Sequence, residues 1–489
     1  MTNKQIKTIG ELKKSGYASR SIKQEMRSNL EVKLKKGIPI FEKIIGFEQT
    51  VLPQLERAIL SGHNINFLGL RGQAKTRMAR QMVELLDEYM PIISGSEIND
   101  DPLKPISFKA KQLIEEHGDE TRIDWVHRSE RYSEKLATPD VNIADLIGDI
   151  DPIKAANLRL SYSDEGVIHF GLIPRSNRGI FVFNELPDLQ PRIQVALFNI
   201  LQEGDIQIRG FKFRLPLDVQ FIFTANPEDY TNRGSIITPL KDRIQSQIFT
   251  HYPTSIEIGR AITKQEVRLS ESQIKSIKVP ELIEKLIEQI AVEARSNEYV
   301  DEKSGVSARL PISAYETVVS AVERRMLLNG EKNGTARISD LQAAIPAIVG
   351  KIEMVYEGEQ EGAVNVAQKL ISSAIRTLAP QYFSDFDRLR DKQHPEIRNK
   401  YMSVMKWFEQ GHELDLLNDA SEKDFVAGLE DIKDLSKVIK SSKTTTNDSQ
   451  HLMMEYLLHV LAEYSMLDKK MLETSFKFQD FFSSIMPEE

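Results

Sequence analysis

The feature that most constrains this chain is an apolar run followed at once by a glycine-containing loop and a helical pattern. Residues 64–70 (NINFLGL) predict a buried strand, and residues 77–89 have helical spacing. Between them, residues 69–76 follow the phosphate-loop pattern G-x-x-x-x-G-K-[ST] at every fixed position except Ala74. A strand, loop and helix in this order predict an α/β fold with a phosphate site at one strand end.

The chemistry of this pattern assigns a role to each loop residue. Lys75 reaches the β- and γ-phosphates, and the Thr76 hydroxyl ligates Mg²⁺. Ala74 stands where a second glycine is usual, and we expect it to cost little because the position should be near helical φ. The sequence therefore predicts binding of ATP with Mg²⁺, with phosphate oxygens held by the backbone N–H groups of Gly69, Leu70, Arg71, Gly72, Gln73 and Ala74.

A second strand ends in a polar pair. Residues 179–185 (GIFVFNE) predict a buried strand that finishes at Asn184 and Glu185. Glu185 suits the carboxylate that activates the attacking water. Asn184 stands where an Asp would hold the water shell of the magnesium ion, and an amide brings no charge. We therefore expect the substitution to affect hydrolysis more than binding, and Asp188 is a candidate to compensate.

Three further polar residues complete a candidate catalytic set. Asn226 ends the apolar strand 219–226 and could orient the attacking water. Arg243 precedes the last strand and could reach the γ-phosphate of a neighbouring subunit. Arg309 begins a helix of the second domain and could close on the phosphates. Taken singly, the three also fit an Asn-Pro turn, a surface ion pair and a solvated arginine.

The order of patterns along the chain predicts the domains. Strand-like runs at 122–126, 179–183, 219–225 and 246–251 alternate with helical patterns, which predicts a mostly parallel sheet. Past Pro253 the strands are expected to stop, and the helical patterns there are 281–295, 311–328, 339–356 and 451–472. The predicted domains are a helical N-terminal extension (1–35), an α/β core (36–252), a helical lid (253–378) and a helical C-terminal region (379–489).

Composition excludes several classes of protein. The 489 residues include no cysteine, which excludes disulfides, thiolate metal sites and a cysteine nucleophile. The formal charge of −8 argues against binding nucleic acid, where a basic domain is expected. The polar, Lys-rich start and the lack of a long apolar run predict a cytoplasmic protein without a signal peptide or membrane span.

Together these pieces occur in the order and spacing of AAA+ ATPases. More narrowly, residues 44–256 resemble the MoxR and magnesium-chelatase ATPase-subunit group. Residues 145–150 (DLIGDI) and 171–174 (GLIP) resemble that group's insertion in the second core helix, and residues 204–216 resemble its β-hairpin. Ile45 and Gly46, in the segment IGFE, look like the residues that pack on adenine.

The resemblance implies a core of five parallel strands, a helical lid and a ring of subunits, a hexamer, in which Arg243 acts on the next subunit's ATP. It assigns the catalytic base to Glu185, the strand sensor to Asn226 and the lid sensor to Arg309. It also implies that ATP hydrolysis remodels a partner protein. That partner is expected to be a separate chain with a von Willebrand factor A domain, because this sequence lacks the motif DxSxS.

Three rival functions stay open. One is a magnesium chelatase ATPase subunit proper, acting in metal insertion into a tetrapyrrole. Another is a nucleotide-gated binding module with little hydrolysis, which the replacement of the usual Asp by Asn184 suggests. The last is a nucleic-acid motor, because the hairpin interleaves Arg209, Lys212 and Arg214 with phenylalanines. The Gly-Ala-Phe-Thr-rich loop of enhancer-binding activators is absent from the sequence.

Overall fold

The computed structural model describes residues 5–161, 165–208, 214–227, 235–383, 395–441, 448–471 and 475–480. The chain divides into two compact units, Met1–His251 and Tyr252–Glu489. Each unit has its own apolar core and is described by itself.

The first unit alternates strands and helices. Its strands are β1 (Ile65–Leu68), β2 (Tyr89–Ile93), β3 (Ile123–His127), β4 (Tyr132–Leu136), β5 (Gly148–Ile150), β6 (Ile168–Phe170), β7 (Gly179–Asn184), β8 (Asp205–Ile206), β9 (Leu215–Pro216), β10 (Val219–Ala225) and β11 (Ser246–Phe249). Its α-helices are α1 (Ile9–Lys14), α2 (Ile22–Lys36), α3 (Val51–Leu60), α4 (Lys75–Gln81), α5 (Phe108–His117), α6 (Ile143–Leu146), α7 (Pro152–Leu158), α8 (Leu172–Arg175), α9 (Pro191–Ala196), α10 (Phe198–Gln202) and α11 (Thr238–Arg243).

Five of these strands form one parallel sheet in the order β11-β1-β10-β7-β4. This confirms the predicted core of five parallel strands. All seven residues of β10 are buried, as expected for a strand inside a parallel sheet that is covered on both faces. The carboxyl ends of β1, β7 and β10 lie side by side, so residues that follow these strands meet at one edge.

Side chains alternate between the two faces of the sheet. One face carries Phe181, Phe183, Phe221 and Phe223, with the rings of Phe183 and Phe223 stacked 5.9 Å apart. The opposite face carries aliphatic residues of the same strands and packs against α2, α3 and α4. This two-sided burial explains why the strands read as continuous apolar runs in the sequence.

The N-terminal helix α2 is part of this core. Ser21 and Gln24 form a capping box at its start, and Gly37 ends it with a φ of 63°. Its apolar residues pack into the cluster that covers the aliphatic face of the sheet. Glu25 on the same helix accepts two hydrogen bonds from the guanidinium of Arg131, both of 2.7 Å, in a buried ion pair.

Two local predictions in this unit are wrong. Residues 122–126 do form a strand, but β3 pairs antiparallel with β2 outside the core sheet. The fifth core strand is β4, an edge strand. Its sequence YSEKL is partly exposed and too polar to be recognised as a strand. The helix expected at 77–89 ends at Gln81 and continues only as a 3₁₀ turn to Leu85, because Tyr89 already begins β2.

Both insertions expected from the resemblance contain an antiparallel strand pair. In the first, β5 pairs with β6, and in the second, β8 pairs with β9. Arg209 and Lys212, which motivated the nucleic-acid hypothesis, lie outside the described residues. Arg214 is described, and its guanidinium lies 3.4 Å from the carboxylate of Asp205.

The second unit is mainly helical. Its α-helices are α12 (Ile256–Glu266), α13 (Glu271–Ser276), α14 (Glu281–Arg295), α15 (Arg309–Asn329), α16 (Ile345–Val349), α17 (Tyr356–Glu361), α18 (Ala363–Tyr382), α19 (Pro395–Glu409), α20 (Glu422–Glu430), α21 (Leu435–Ser441) and α22 (Gln450–Glu463). Its strands are β12 (Ile277–Lys278), β13 (Gly334–Thr335), β14 (Leu414–Leu417), β15 (Asp468–Met471) and β16 (Ser475–Gln479).

The expectation that strands stop past Pro253 is therefore wrong. β14, β16 and β15 form an antiparallel sheet, and α22 ends at Glu463, well before the predicted residue 472. One apolar cluster runs from α14 through α18 to α22 and β16. A single apolar core therefore joins the predicted lid and the predicted C-terminal region. Their division into two domains stays a prediction.

A buried carboxyl group, that of Glu288, lies between two helices of the second unit. The Thr263 hydroxyl of α12 donates to Glu288 of α14 over 2.5 Å. The helices approach so closely that a Cβ on Gly259 would lie 2.4 Å from Glu288 Oε2. Burial raises the pKa of Glu288 to about 7, against the lowering effect of the Thr263 hydrogen bond and of nearby arginines.

We expect Glu288→Gln to be more stable than the unchanged protein above pH 7 and to lose that advantage below about pH 5. The raised pKa means that protonation of Glu288 contributes stability at low pH, and this is lost as the pH rises through about 7. The difference should reach about 3 kcal/mol. Urea unfolding at pH 5 and pH 8, followed by Trp407 in a Trp125→Phe background, measures it. The exposed control Glu302→Gln should show no such difference, and parallel pH profiles for Glu288→Gln and the parent would contradict the prediction.

Candidate active site

The phosphate loop connects β1 to α4 at the carboxyl edge of the sheet. Two of its positions require glycine. A Cβ on Gly69 would lie 2.0 Å from Thr250 Oγ1 and 2.3 Å from Gln73 Oε1. Gly72 has a φ of 73°, which side chains rarely adopt. The loop therefore has the tight curvature that brings backbone N–H groups toward a bound anion.

Ala74 differs from its prediction. Its φ is 54° and its ψ is 15°, a left-handed conformation and not the near-helical one that was predicted. This conformation costs an L-residue roughly 1–2 kcal/mol. The usual glycine at this position would avoid the strain, so the alanine is tolerated at a cost and is not neutral.

Lys75 lies over its own loop. Its ammonium donates to the carbonyl oxygens of Gly69 and Leu70, the second at 2.9 Å, and to Asn226 Oδ1 at 2.7 Å. Asn226 follows β10 and is 7% exposed. The structure thus brings the predicted phosphate-binding lysine together with the predicted sensor of a different strand.

Thr76 and Asn184 are also adjacent. The Thr76 hydroxyl donates to Asn184 Oδ1 over 3.2 Å. Both groups offer oxygen atoms, which are the ligands that Mg²⁺ prefers, usually with waters in between. Among the described residues no three acidic or histidine side chains cluster as a metal site. The donor set therefore fits a magnesium ion that is shared with a bound phosphate and not one held by the protein alone.

Glu185 has a strained backbone at the end of β7. Its φ is 58° and its ψ is 50°, and its N–H donates to Thr224 Oγ1 at 3.1 Å. Non-glycine residues in this conformation often lie at active sites, where the surrounding structure maintains them. Asp188 lies one turn further on, where its N–H donates to the carbonyl of Glu185.

The segment with Ile45 and Gly46 lies against the end of β11. Gly46 has a φ of 86°, and its N–H donates to Glu48. The next residue, Phe47, contacts the ring of His251 edge-on at 4.9 Å. Ile44 and Phe47 share an apolar cluster with Met78 and Ala79 of α4. The residues on either side of Ile45 and Gly46 therefore belong to the same apolar cluster as the helix that follows the phosphate loop.

The contact between Gln73 and Thr250 is a feature of the site that the sequence did not predict. The Thr250 hydroxyl donates to Gln73 Oε1 over 2.6 Å, and both residues are buried. This contact ties the loop to the end of β11, and Gly69 leaves the space for it. The two residues are 177 positions apart, so no local pattern could have indicated their contact.

The hydrogen bonds of the two predicted arginines are to residues outside the phosphate loop. Arg243 ends α11, donates to Gln202 at 3.0 Å and to the carbonyl of Pro239 at 2.7 Å, and lies 4.7 Å from the ring centre of Phe198. Arg309 begins α15 in the second unit and is exposed, and its N–H donates to Ser307. Their roles in catalysis stay predictions.

The fold and this loop define the class of the protein, an AAA+ ATPase. The Sigma-54 interaction domain family matches residues 161–247. The magnesium-chelatase 38 kDa subunit of Cereibacter sphaeroides is 24% identical over 228 residues, which span 46% of this chain and 62% of that protein. More than a third of that relative is therefore unmatched.

Solved structures of AAA+ proteins are similar only in part. One is a complex between subunits BchI and BchD of magnesium chelatase, at 17% identity and a TM-score of 0.35, with 66% of this chain and 98% of that chain covered. Another is NtrX from Brucella abortus, at 14% identity and a TM-score of 0.33, with 59% and 55% covered.

The parallel core sheet and the matched segments support an AAA+ ATPase of the group that includes MoxR proteins and the magnesium-chelatase ATPase subunits. This similarity supports ATPase activity in general. No helix among the described residues has the length and apolar character needed to cross a membrane.

Proposed function

We propose that this protein binds ATP with Mg²⁺ at the carboxyl edge of its sheet and hydrolyses it to ADP and phosphate. The observation that carries the proposal is the convergence of Lys75, Thr76, Asn184 and Asn226 through direct hydrogen bonds. These residues come from the start of α4, directly after the phosphate loop, and from the ends of β7 and β10. The ends of parallel strands are the usual place for ligand sites in such sheets.

Each residue has a defined task in this proposal. The loop N–H groups and Lys75 bind the phosphates, and Lys75 exchanges the carbonyls of Gly69 and Leu70 for phosphate oxygens. Glu185 accepts the proton of the attacking water, and Asn226 orients that water. Thr76 directly, and Asn184 through water, would hold Mg²⁺, which when bound neutralises phosphate charge.

The proposed assembly is a homo-oligomeric ring, a hexamer, in the cytoplasm. Arg243 would act on the ATP of the neighbouring subunit, and Arg309 would act from the lid. We further propose that the ATP cycle remodels or activates a partner protein, a separate chain with a von Willebrand factor A domain. The match to MoxR-type sequence patterns supports this part, and pull-down with the ATP-trapping variant Glu185→Gln would identify the partner.

Replacing the loop lysine tests the nucleotide site. We expect Lys75→Ala to weaken ATP binding at least about 100-fold, because it removes a charge-assisted bond to phosphate. Equilibrium binding of ATP in the presence of Mg²⁺ measures the loss. Lys35→Ala removes an exposed lysine of α2 and controls for the change in net charge. Unaltered binding by Lys75→Ala would remove the phosphate-loop assignment.

One alternative is a nucleotide switch with little hydrolysis. Asn184 favours it, because an amide in place of a carboxylate leaves the metal shell with one negative charge fewer. Phosphate release by the unchanged protein and by Glu185→Gln distinguishes the two functions. If both are equally inactive while ATP still binds, the protein acts as a switch.

A second alternative is an ATPase subunit of a magnesium chelatase. The relative from Cereibacter sphaeroides favours it. Magnesium insertion into a tetrapyrrole, assayed with this protein in place of that subunit, tests the idea. Support of the insertion would favour this alternative over remodelling of a different partner.

A further inference from the structure

An asparagine at the magnesium position must have its side chain in one orientation, whereas an aspartate need not. A carboxylate presents equivalent oxygens whichever way it is turned. An amide has an oxygen at one end and an NH₂ group at the other, and only the oxygen can accept from the hydration shell of a cation. Asn184 can therefore serve at this position only if the orientation of its amide is controlled.

Thr224 supplies that control. It lies in the middle of the sheet on β10 and is 3% exposed. Its Oγ1 accepts the N–H of Glu185 at 3.1 Å and donates to Asn184 Oδ1 at 3.3 Å. A hydroxyl has one proton to donate. If the amide were turned over, its NH₂ group would face the hydroxyl, and the proton of Thr224 would lose its acceptor in a buried place.

The loop side of the site agrees with this orientation. The Thr76 hydroxyl also donates to Asn184 Oδ1, at 3.2 Å. The amide oxygen therefore faces the two hydroxyl groups that come from α4 and β10. Both bonds are longer than is typical for hydroxyl donors, but the two donors select the same end of the amide.

We propose that Thr224 is a positioning residue that holds the oxygen of the Asn184 amide toward Thr76, and so lets an asparagine take the place of an aspartate in the magnesium site. This inference rests on the proposed function of the site. It predicts that the need for the Thr224 hydroxyl disappears when residue 184 is a carboxylate.

A double-mutant cycle tests the inference by binding and not by turnover. The affinity for ADP is measured with Mg²⁺ and with EDTA for the unchanged protein, Thr224→Val, Asn184→Asp and the double variant. In the Asn184 background, Thr224→Val should reduce the gain in affinity on adding Mg²⁺ by about three- to tenfold. In the Asn184→Asp background, the same change should reduce it less than about twofold.

Two controls separate positioning from other effects. Thr224→Ser keeps the hydroxyl and should behave as the unchanged protein does. The lost partner of the Glu185 N–H is common to both backgrounds and cancels in the cycle. Circular dichroism checks the fold, and Thr224→Ala replaces the valine variant if that variant does not fold.

An equal loss in both backgrounds, or no loss with Thr224→Val, would overturn the inference. A loss with Thr224→Ser as large as that with valine would also overturn it. Failure of the proposed function has a different signature. In that case the unchanged protein binds no ADP, or Lys75→Ala binds it equally well.

Discussion

Arg243→Ala is expected to bind ATP as the unchanged protein does and to release phosphate about a thousandfold more slowly. The guanidinium donates to Gln202 and Pro239 and lies over Phe198, and none of these residues belongs to the phosphate loop. Removing it should therefore leave the subunit's own binding site intact. A finger that acts on the neighbouring subunit would explain why hydrolysis alone is lost.

Mixing two inactive variants decides whether the arginine acts between subunits. Arg243→Ala keeps Glu185, and Glu185→Gln keeps Arg243. If the finger acts in trans, a mixed ring contains complete sites, and phosphate release should return in part. If mixing restores nothing, the action in trans is refuted. Lys241→Ala, an exposed neighbour on α11, is the control and should keep its activity.

Local sequence patterns could predict those features whose structure is determined by residues close together in the sequence. β10 was predicted to the residue because a buried parallel strand is apolar throughout. The positions of Lys75, Thr76 and Asn226 could be predicted because strand ends and loop spacing are local features, and their roles stay predictions. The contact between Lys75 and Asn226 follows from the parallel order of the strands, which the alternation of strands and helices already indicated.

Features set by distant residues could not be found in the same way. β4 is an edge strand with a polar face, and its place in the sheet depends on pairing with β7. The left-handed φ of Ala74 follows from the curvature of the loop, which the contact between Gln73 and Thr250 helps to hold. The role of Thr224 depends on a neighbouring strand in exact register. Such contacts arise only after the chain has folded.

The buried pair of Glu25 and Arg131 joins two distant parts of the first unit. The guanidinium of Arg131 makes two bonds of 2.7 Å to the Glu25 carboxylate, and it also donates to the carbonyl of Arg178 at 2.9 and 2.7 Å. Arg131 immediately precedes β4, whereas Glu25 lies in the first turn of α2. The pair therefore holds the N-terminal helix to the edge of the sheet.

We expect Arg131→Met to lower the free energy of unfolding of the first unit by about 3–5 kcal/mol, because Glu25 keeps a buried charge without its partner. Replacing both residues, as Glu25→Leu with Arg131→Met, should recover much of this loss, since an apolar pair leaves no unpaired charge. The carbonyl of Arg178 would still lose its donors, so recovery should be incomplete.

Denaturant unfolding followed by Trp125 measures these changes in a Trp407→Phe background, because the sequence contains only two tryptophans and Trp125 lies in the first unit. The exposed pair of Arg27 and Glu31 on the same helix supplies the matched control. Arg27→Met should cost at most about 1 kcal/mol. If Arg131→Met lowered the free energy of unfolding no more than Arg27→Met, the prediction would be wrong. The apolar contacts of α2, and not the buried ion pair, would then hold that helix to the core.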